Sequence, residues 1–429
     1  MPPSDETVPF VRATDIKEGE IQTRGLLHVH RDQPPKMAKC LLREGEIIVV
    51  RSGVNTGDCA PVPAFLAGAY GAYDLILRLK DGNESVLPGF LTEYLDTSVG
   101  RAQLNVLKAR SAQPHLNAEE IASIRVPLPT PSRQRELLAA LDDARKARRQ
   151  RLQEADELLG NIDGIVLDAL GITLPPRDER RTYAVTLRDV FGSRCDALYY
   201  SPHFRQLAAI LAASPLEKIP LGILSPDLAG GATPTRGDQD LYSETGVRFL
   251  RIMNVTPFEI RLDDIKYITE DVHNQMLGRS KLRANDILMT ITGRVGTTAV
   301  VQSSVLPANI NQHIVRIRLI TDRVSPEYLE AYLNSSLGLA MTNRGVTGGT
   351  RIAIDYGTVR GLPIPVPDQK VQKLIAMEIG RLRETARRLR LDSAQLWRDA
   401  KSQFEEALLG PVFNSPKLKA DVAEKGTQQ

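Results

Sequence analysis

The sequence predicts a mixed α/β (α+β) fold in which two globular domains in tandem are separated by two long helices that form an antiparallel coiled coil. Two observations lead to this expectation. The chain contains an internal, pseudo-twofold repeat, and each copy of the repeat is followed by a long helical pattern. The length of 429 residues agrees with it, because one hydrophobic core seldom serves more than about 300 residues.

The first block of the repeat is a turn followed by a β-strand that ends at a glycine. Residues 42–53 match residues 282–293 in length and pattern. A short aliphatic run between turn residues is typical of a buried strand. Three further blocks follow in the same order in both copies: 77–79 with 317–319, 88–100 with 326–338, and 126–131 with 362–367.

Two of these blocks predict local structure. Residues 88–100 and 326–338 have a proline at the start and a glycine at the end, which predicts a short helix. Alternating prolines in residues 126–131 and 362–367 exclude a helix or a central strand and predict an extended connector. Four blocks in the same order indicate duplication rather than chance similarity.

The long helical patterns run from about Ser132 to Leu170 and from about Asp368 to Leu409. In both, apolar residues recur every three or four positions, and neither contains an internal proline. Each helix would be roughly 60 Å long at a rise of about 1.5 Å per residue. A helix with a single apolar stripe needs a partner. The partner is either the other long helix or the helix's own globular domain, and the similar length of the two stripes favours an antiparallel coiled coil.

Composition excludes several classes of protein. Three scattered cysteines argue against a disulfide framework and favour a reduced, cytoplasmic location. No apolar run approaches the ~20 residues of a membrane span, and the first residues lack the pattern of a signal peptide. The formal net charge of +3 is too small to indicate nucleic-acid binding by itself, so such a function would depend on where the charges lie.

Over nearly its whole length the chain resembles the specificity subunit of Type I restriction–modification enzymes. The residues that carry the resemblance are Ser111–Asn117 leading into Ile124–Pro129, together with Asp196–Pro202, Gly230–Thr235 and Asp286–Thr290. It implies a phage-defence protein in which target recognition domains alternate with helical regions. The expected parts are a first recognition domain (1–131), a central helix (132–171), a second recognition domain (185–367), a distal helix (368–410) and a disordered tail (411–429).

The resemblance also implies a function and partners. Each target recognition domain would recognise one half of a bipartite site in double-stranded DNA. The helices would set the distance between the halves and dock two methyltransferase (modification) subunits, and two restriction subunits could join. The chain itself would be non-catalytic, with no metal or cofactor of its own. S-adenosylmethionine, and ATP and Mg²⁺ if restriction subunits join, would be bound by the partner subunits.

One departure from the family pattern concerns the first half. The second half has an entry segment from Arg194 to Asn254. The first half starts at Pro9–Asp15, and these residues match the end of that entry segment. A counterpart of about 194–245 is missing. The first target recognition domain is therefore expected to be shortened at its N-terminus. This leaves the alternative of a DNA-binding scaffold with only one working reader.

Catalytic motifs of enzymes that act on DNA are not recognisable. The Asn-Pro-Pro-Tyr-like tetrapeptide and glycine-rich loop of adenine methylases are missing, and so is the phosphate-binding G-x-x-x-x-G-K-[ST] loop. His28, His30 and Cys40 form a single cluster without a second ligand pair, which is weak evidence for zinc. The alternatives are a DNA methyltransferase or nuclease with an unrecognised active site, and a DNA-recognition module of another defence system.

Recognition of DNA needs Arg or Lys for guanine and phosphate, and Asn or Gln for adenine, on loops that a rigid scaffold positions. An ordinary solvated side chain is the alternative for every candidate. The leading candidates follow the paired glycine strands or precede the proline connectors: Asn55, Arg294, Arg110, Gln113, Arg344 and Arg351. The others are Arg12, Lys17, Arg24, Arg51, Lys108, Arg251, Asn254, Thr292, Asn311, Gln312 and Thr347. The basic runs 145–151 and 381–390, within the long helices, are expected on solvated faces, with contacts to phosphates or to partner subunits as the alternatives.

Overall fold

The computed structural model describes residues 2–72, 74–80, 83–108, 115–191, 194–234, 241–349 and 351–410. The chain divides into two compact units, one of Met1–Gln153 with Leu389–Gln429 and one of Glu154–Arg388. Both units combine short β-sheets with helices. In the described part of the chain, no helix has the length and apolar character needed to cross a bilayer.

The first unit contains two three-stranded sheets. Its strands are β1 (Thr7–Val11), β2 (Ile16–Lys17), β3 (Glu20–Ile21), β4 (Leu27–His30), β5 (Ile47–Val49), β6 (Cys59–Pro61), β7 (Tyr70–Gly71) and β8 (Leu75–Leu77). One sheet has the order β4-β1-β7, with β1 antiparallel to β4 and parallel to β7. The other has the antiparallel order β6-β5-β8. Strands β2 and β3 form a hairpin.

Helices cover the second of these sheets. They are α1 (Pro88–Leu95), α2 (Ser98–Lys108) and α3 (Ala118–Ala122). The long α4 (Pro131–Gly160) packs against α1, where Leu137 and Leu141 share a buried cluster with Phe90. Strand β5 is buried on both faces. Ile47 and Val49 contact the core beneath α1 and α2, whereas Ile48 belongs to the core around β1 and β2. Side chains alternate between the faces of a strand, so a continuous apolar run is what such a doubly covered strand requires.

The second unit contains the remaining strands and helices. Its strands are β9 (Glu217–Pro220), β10 (Ala229–Gly230), β11 (Tyr242–Ser243), β12 (Val247–Leu250), β13 (Val255–Thr256), β14 (Glu259–Ile260), β15 (Lys266–Ile268), β16 (Ile287–Thr290), β17 (Thr298–Val300), β18 (Ala308–Ile310), β19 (Ile314–Ile317) and β20 (Pro363–Val366). The helices are α5 (Ile162–Ala169), α6 (Leu187–Val190), α7 (Pro202–Ala213), α8 (Leu221–Leu224), α9 (Pro326–Asn334), α10 (Ser336–Arg344), α11 (Tyr356–Arg360) and the long α12 (Gln369–Leu409).

The two four-stranded sheets of this unit have the orders β10-β19-β16-β17 and β11-β15-β12-β18. Strand β16 repeats the pattern of β5. Ile287 and Met289 lie in the core beneath α9 and α10, and Leu288 lies in the core on the other side of the sheet. The parallel pair β12–β18 likewise repeats the parallel pair β1–β7. The duplication seen in the sequence therefore also appears in the structure, because the same pattern of strand pairing occurs once in each unit.

In each unit, a part of α12 packs against a helix that follows the first connector, α4 in the first unit and α5 in the second. In the first unit, Leu137 and Leu141 of α4 share a buried cluster with Trp397 and Phe404 of α12. In the second unit, the early part of α12 lies in the same core as α5. The helix predicted to run to Leu170 is interrupted, since α4 ends at Gly160 and α5 begins at Ile162. Glycine and asparagine, which occupy positions 160 and 161, are poor helix formers.

A buried glutamine fixes the start of each long helix. Gln134 accepts the N–H of Leu87 at 2.9 Å and donates to the carbonyls of Ser85 and Pro129 at 2.7 and 2.8 Å. Gln372 accepts the N–H of Ser325 at 2.9 Å. It donates to the carbonyls of Arg323 and Pro367 at 2.8 and 3.0 Å. Both side chains therefore tie the loop before a short helix to the connector before a long one.

The two connectors differ. In the second unit, residues 363–366 form β20, an edge strand that pairs with β9 in a two-stranded sheet, and Ile364 is 0% exposed. The alternating prolines allow this, because an edge strand leaves one side without ladder bonds. In the first unit, residues 124–130 form no strand, and Leu128, which matches Ile364 in the repeat, is 60% exposed. Within the described residues of the first unit, no counterpart of β9 covers it.

Candidate nucleic-acid interface

Three loops of the second unit meet beyond the ends of β16 and β19. They are the turn that contains Thr292, the turn between β18 and β19 with His313, and the loop after α10 with Arg351. Nδ1 of His313 lies 3.2 Å from Oγ1 of Thr292, and Nη2 of Arg351 lies 3.4 Å from Nε2 of His313. Burial lowers the pKa of His313, and the charge of Arg351 lowers it further. The imidazole is therefore neutral near pH 7.

Backbone hydrogen bonds hold the loop that carries Arg351. The N–H of Thr347 donates to the carbonyl of Ala353 at 2.8 Å, and the N–H of Ala353 donates back at 2.9 Å. Ala353 also forms an isolated bridge with Thr292. Gly348 has a φ of +97°, and a Cβ there would lie 2.4 Å from the carbonyl oxygen of Arg351. Only glycine fits this turn, which brings Arg351 back to the sheet.

A cleft of about 630 Å³ lies beside this edge. Its walls combine aromatic side chains with hydrogen-bonding and charged groups: Thr233, Tyr242, Ser243, Glu244, Phe249, Arg251, Lys266, Tyr267, Asn311, Gln312 and His313. The hydroxyl of Thr233 donates to Oε1 of Gln312. Arg251 forms an ion pair with Asp264 at 2.9 Å. These groups are of the kinds that bind base edges and phosphates.

Two glycines let the chain reach the cleft. A Cβ on Gly230 would lie 1.7 Å from the hydroxyl of Tyr356, and one on Gly231 would lie 1.9 Å from the carbonyl oxygen of Ile310. Neither distance is possible for a larger residue without a shift of the neighbouring chain. The pair therefore explains why the segment 230–235, which carried part of the family resemblance, begins with Gly-Gly: the backbone must pass close to β18 before Thr233.

The first unit has a related but smaller polar edge. Nε of Arg51 donates to Nε2 of His115 at 3.2 Å, and the N–H of Arg51 lies 3.3 Å from Oδ1 of Asp74. Ser52 and His115 form an isolated antiparallel bridge, as Thr292 and Ala353 do in the other unit. Lys108 lies near the turn after β5, where a Cβ on Gly57 would be 3.2 Å from Nζ. Burial, followed by the charge of Arg101, lowers the pKa of Lys108.

The predicted DNA-binding residues fall into three groups by exposure. Those on the surface are Lys17, Arg24, Arg294, Gln312, Thr347 and Arg351. Those that are half-buried are Arg12, Arg51, Asn55, Lys108, Arg251, Thr292 and Arg344, and those that are buried are Asn254 and Asn311. Arg110 and Gln113 lie outside the described residues. The structure brings Thr292 and Arg351 to the edge of the second unit, and Arg251, Asn311 and Gln312 to its cleft.

Three of these residues have internal contacts that the sequence did not indicate. Asn254 is 1% exposed and donates to the carbonyls of Arg261 and Asp263, so it closes a turn in the core. Asn311 accepts the N–H of His313 through its side chain at 3.1 Å. Arg344 points to Tyr199: its guanidinium carbon lies 4.1 Å from the ring centroid. These side chains thus make short-range hydrogen bonds or contact an aromatic ring inside the second unit.

The basic run in α4 was expected on a solvated face, and for part of it this is wrong. Arg145 forms ion pairs with Glu93 of α1 and with Glu20 of the β2–β3 hairpin, and its side chain is only 13% exposed. Arg148 pairs with Glu18 in the same hairpin. These acidic residues are distant in sequence, so the pairing was not visible there. Arg145 and Arg148 thus attach α4 to the sheets of the first unit.

His115 and His313 were not among the predicted site residues. The available signal was their position, because His115 stands between the candidate loop 110–113 and the connector, and His313 follows Asn311 and Gln312. A lone histidine is weak evidence by itself, and their contacts with arginines depend on loops that meet only in the folded chain. Among the described residues, no group of three or more His, Cys, Asp and Glu side chains forms a possible metal site.

Comparison with known proteins finds a family match in the first part of the chain. Residues 4–156 match the family model of the Type I restriction modification DNA specificity domain. The specificity subunit of the EcoBI Type I restriction enzyme of Escherichia coli is 24% identical over 137 residues, which are 32% of this chain and 28% of that protein. The chain thus spans less than a third of the length of this curated relative.

A solved structure with a TM-score above 0.5 resembles this chain in fold. A chain in a structure of a type I R-M system, concerned with its complex assembly and conformational transition, is 18% identical with a TM-score of 0.53, over 94% of this chain and 92% of that one. The HsdS subunit from Thermoanaerobacter tengcongensis is 16% identical with a TM-score of 0.37, over 94% and 90% of the two chains. Residues 4–156 thus contain a Type I restriction modification DNA specificity domain, and the fold of the chain is similar to that of a chain in the type I R-M structure.

Proposed function

We propose that this chain is the sequence-recognition subunit of a Type I restriction–modification complex and binds double-stranded DNA. The match of residues 4–156 to the DNA specificity domain carries the proposal. The polar edge and cleft of the second unit support it, because guanidinium, amide, imidazole and hydroxyl groups converge there on loops held by a sheet. The chain would act without catalytic groups of its own.

Each unit would contain one target recognition domain, and each domain would recognise one half of a bipartite site. The long helices would form an antiparallel coiled coil that sets the distance between the halves. Each unit pairs the early part of one helical region with the late part of the other, which is the order of antiparallel helices. A helix pair of roughly 60 Å would limit the distance between the centres of the two half-sites to under about 18 base pairs. Because the recognition domains would extend past the ends of the helices, a distance of one helical turn of DNA, about 10 base pairs, is expected.

The partners would be two methyltransferase subunits, joined by two restriction subunits where the system contains them. S-adenosylmethionine would be bound by the methyltransferase subunits, and ATP and Mg²⁺ by the restriction subunits. The purified chain, incubated with DNA and a labelled methyl donor, is expected to transfer no methyl group. Methylation by the chain alone would contradict the proposal and favour an enzyme with an unrecognised active site.

Methylome sequencing tests the function directly. A host that carries this chain with its neighbouring methyltransferase should acquire a methylated, bipartite and asymmetric DNA motif. A host that carries the methyltransferase without this chain should lack the motif. Identical methylation in both hosts would exclude a role of this chain in sequence choice.

A change in the length of both long helices tests whether the helix pair sets the distance between the half-sites. One heptad inserted into both α4 and α12 lengthens the spacer by about 10 Å, which corresponds to about three base pairs. The gap between the half-sites should grow while both half-sites stay the same. A heptad inserted in α4 alone is the control and should disrupt the helix pair. Altered half-sites with an unchanged gap would contradict the proposal that the helix pair sets the gap.

A scaffold with one working reader is the second candidate, and one observation favours it. Leu128 is 60% exposed where its match Ile364 is 0% exposed, so the first unit lacks part of the packing that surrounds the second reader. Such a protein would give a methylated motif with a single half-site. The same methylome experiment separates the two, because a bipartite motif needs two readers.

A further inference from the structure

Each unit contains a histidine in contact with an arginine. The contact lies at a matching place in both units, beside Ser52 after β5 in the first and beside Thr292 after β16 in the second. In the first unit, Arg51 precedes Ser52 and donates to His115. In the second, His313 contacts both Thr292 and Arg351. The pair recurs although its members come from different chain positions in the two units. The same two types of side chain thus meet beside matching strands in both units.

The chemistry of the two side chains fixes the direction of these hydrogen bonds. A guanidinium has only donors, so Nε2 of each histidine must accept, and in His313 this leaves the ring proton on Nδ1. In the second unit, Nδ1 then donates to Oγ1 of Thr292, 3.2 Å away. The imidazole is held from both sides. It can therefore restrict the plane of Arg351, whose side chain is otherwise long and flexible and lies at the surface.

A guanidinium held in one plane suits one type of base. Two parallel N–H groups match the O6 and N7 acceptors of guanine in the major groove, and this fork is the commonest specific contact of arginine with DNA. A freely rotating arginine on the same loop would bind phosphate as readily. We propose that the pairs Arg51–His115 and Arg351–His313 recognise guanine, one pair in each half-site. The arginine contacts the base, and the histidine is a positioning residue.

This inference rests on the proposed function and is tested in the same host. Arg351→Gln should relax one G·C position of one half-site by about tenfold or more and leave the other half-site unchanged. Arg351→Lys, which keeps the charge but not the fork, should relax the same position. His313→Ala should relax it less, because the arginine remains. Arg51→Gln and His115→Ala should relax a G·C position in the other half-site.

Matched variants separate recognition from folding. Arg381→Gln, on α12 and 65% exposed, removes an arginine of the same unit and should leave the motif unchanged. Thermal unfolding of the purified variants should match that of the wild type. If the Gln variant of Arg351 does not fold, the Lys variant carries the test.

Two results would overturn the inference. One is an even loss of methylation at all positions of the motif, as expected of a structural role or of phosphate contacts. The other is an unchanged motif in well-folded Arg351 and Arg51 variants. Failure of the wild-type chain to direct any motif would instead reject the proposed function.

Discussion

The guanidinium carbon of Arg145 lies 5.0 Å from the ring centroid of Trp397, which joins α4 to α12 within the first unit. Arg148 and Lys401 lie 5.7 and 5.3 Å from the same ring. Burial alone would lower the pKa of Lys401, but the carboxylates of Glu93 and Asp96 outweigh it and raise the pKa. The indole is thus enclosed by cations that are themselves paired with acidic side chains.

Truncation of this indole should destabilise the first unit. Trp397 is 9% exposed and packs in the cluster that contains Leu141 and Phe404, so Trp397→Ala leaves a cavity and should cost about 3–5 kcal/mol. Urea unfolding followed by circular dichroism measures the change. Leu391→Ala, on the same helix and 54% exposed, is the control and should shift the midpoint little. Equal effects of the two variants would contradict the role of the ring.

The glutamine at the start of α4 should matter as much as a core residue. Gln134 is 0% exposed and makes three hydrogen bonds to backbone groups. Gln134→Ala leaves these groups without their partner and should cost about 2–4 kcal/mol. The chain has one tryptophan, so Trp397 fluorescence reports the unfolding of the first unit. Gln150→Ala, at an exposed site on α4, should change stability by less than ~0.5 kcal/mol.

The glycine in the first turn of α10 should tolerate no side chain. A Cβ on Gly338 would lie 2.0 Å from the carbonyl oxygen of Tyr332, as one on Gly100 would lie 2.3 Å from that of Tyr94. Gly338→Ala should therefore lower the free energy of unfolding by more than ~2 kcal/mol, since the helices must move apart. Calorimetry of the full chain measures it.

Gly380 provides the control for that substitution. It lies in α12 with no neighbouring atom within 4 Å of an added Cβ. Gly380→Ala should stabilise the chain by about 0.5–1 kcal/mol, because alanine loses less backbone freedom in a helix. A loss of stability at Gly380 comparable to that at Gly338 would contradict close packing as the specific cause at Gly338, because an added Cβ at Gly380 meets no neighbouring atom.

Stability should depend on pH through Glu330. Burial raises the pKa of Glu330 to about 7 from its ordinary 4.5, although its carboxylate accepts the N–H of Val300 at 2.7 Å and lies near Arg383. The folded state therefore binds the proton more tightly than the unfolded state. The resulting stabilisation, about 3 kcal/mol at most, is complete below pH 4.5 and is lost as the pH rises through 7.

The variant Glu330→Gln isolates that contribution. It keeps an oxygen for the N–H of Val300 but cannot ionise, so it should flatten the fall in stability between about pH 4.5 and pH 7 and be more stable than the wild type above pH 7. Unfolding midpoints in a series of buffers measure the difference. An unchanged slope in the variant would show that other groups cause the pH dependence.

The sequence determined the elements that depend on local pattern. The repeat, the buried strands β5 and β16, the paired short helices and the helix from Gln369 to Leu409 follow from apolar periodicity and from proline and glycine positions. The sequence likewise predicted Arg351, which stands on a loop before a connector, and it included Thr292 in the wider set of candidates.

Only the tertiary structure decided what the polar side chains contact. Asn254 lies in the core, Arg344 points to Tyr199, and Arg145 is an attachment of α4 rather than a solvated charge. The pairing of Arg351 with His313 spans 38 residues, and that of Arg51 with His115 spans 64. Apolar periodicity is a property of one element, whereas a hydrogen bond between loops depends on how several elements pack. The sequence thus determined where polar groups could meet, and packing decided which of them do.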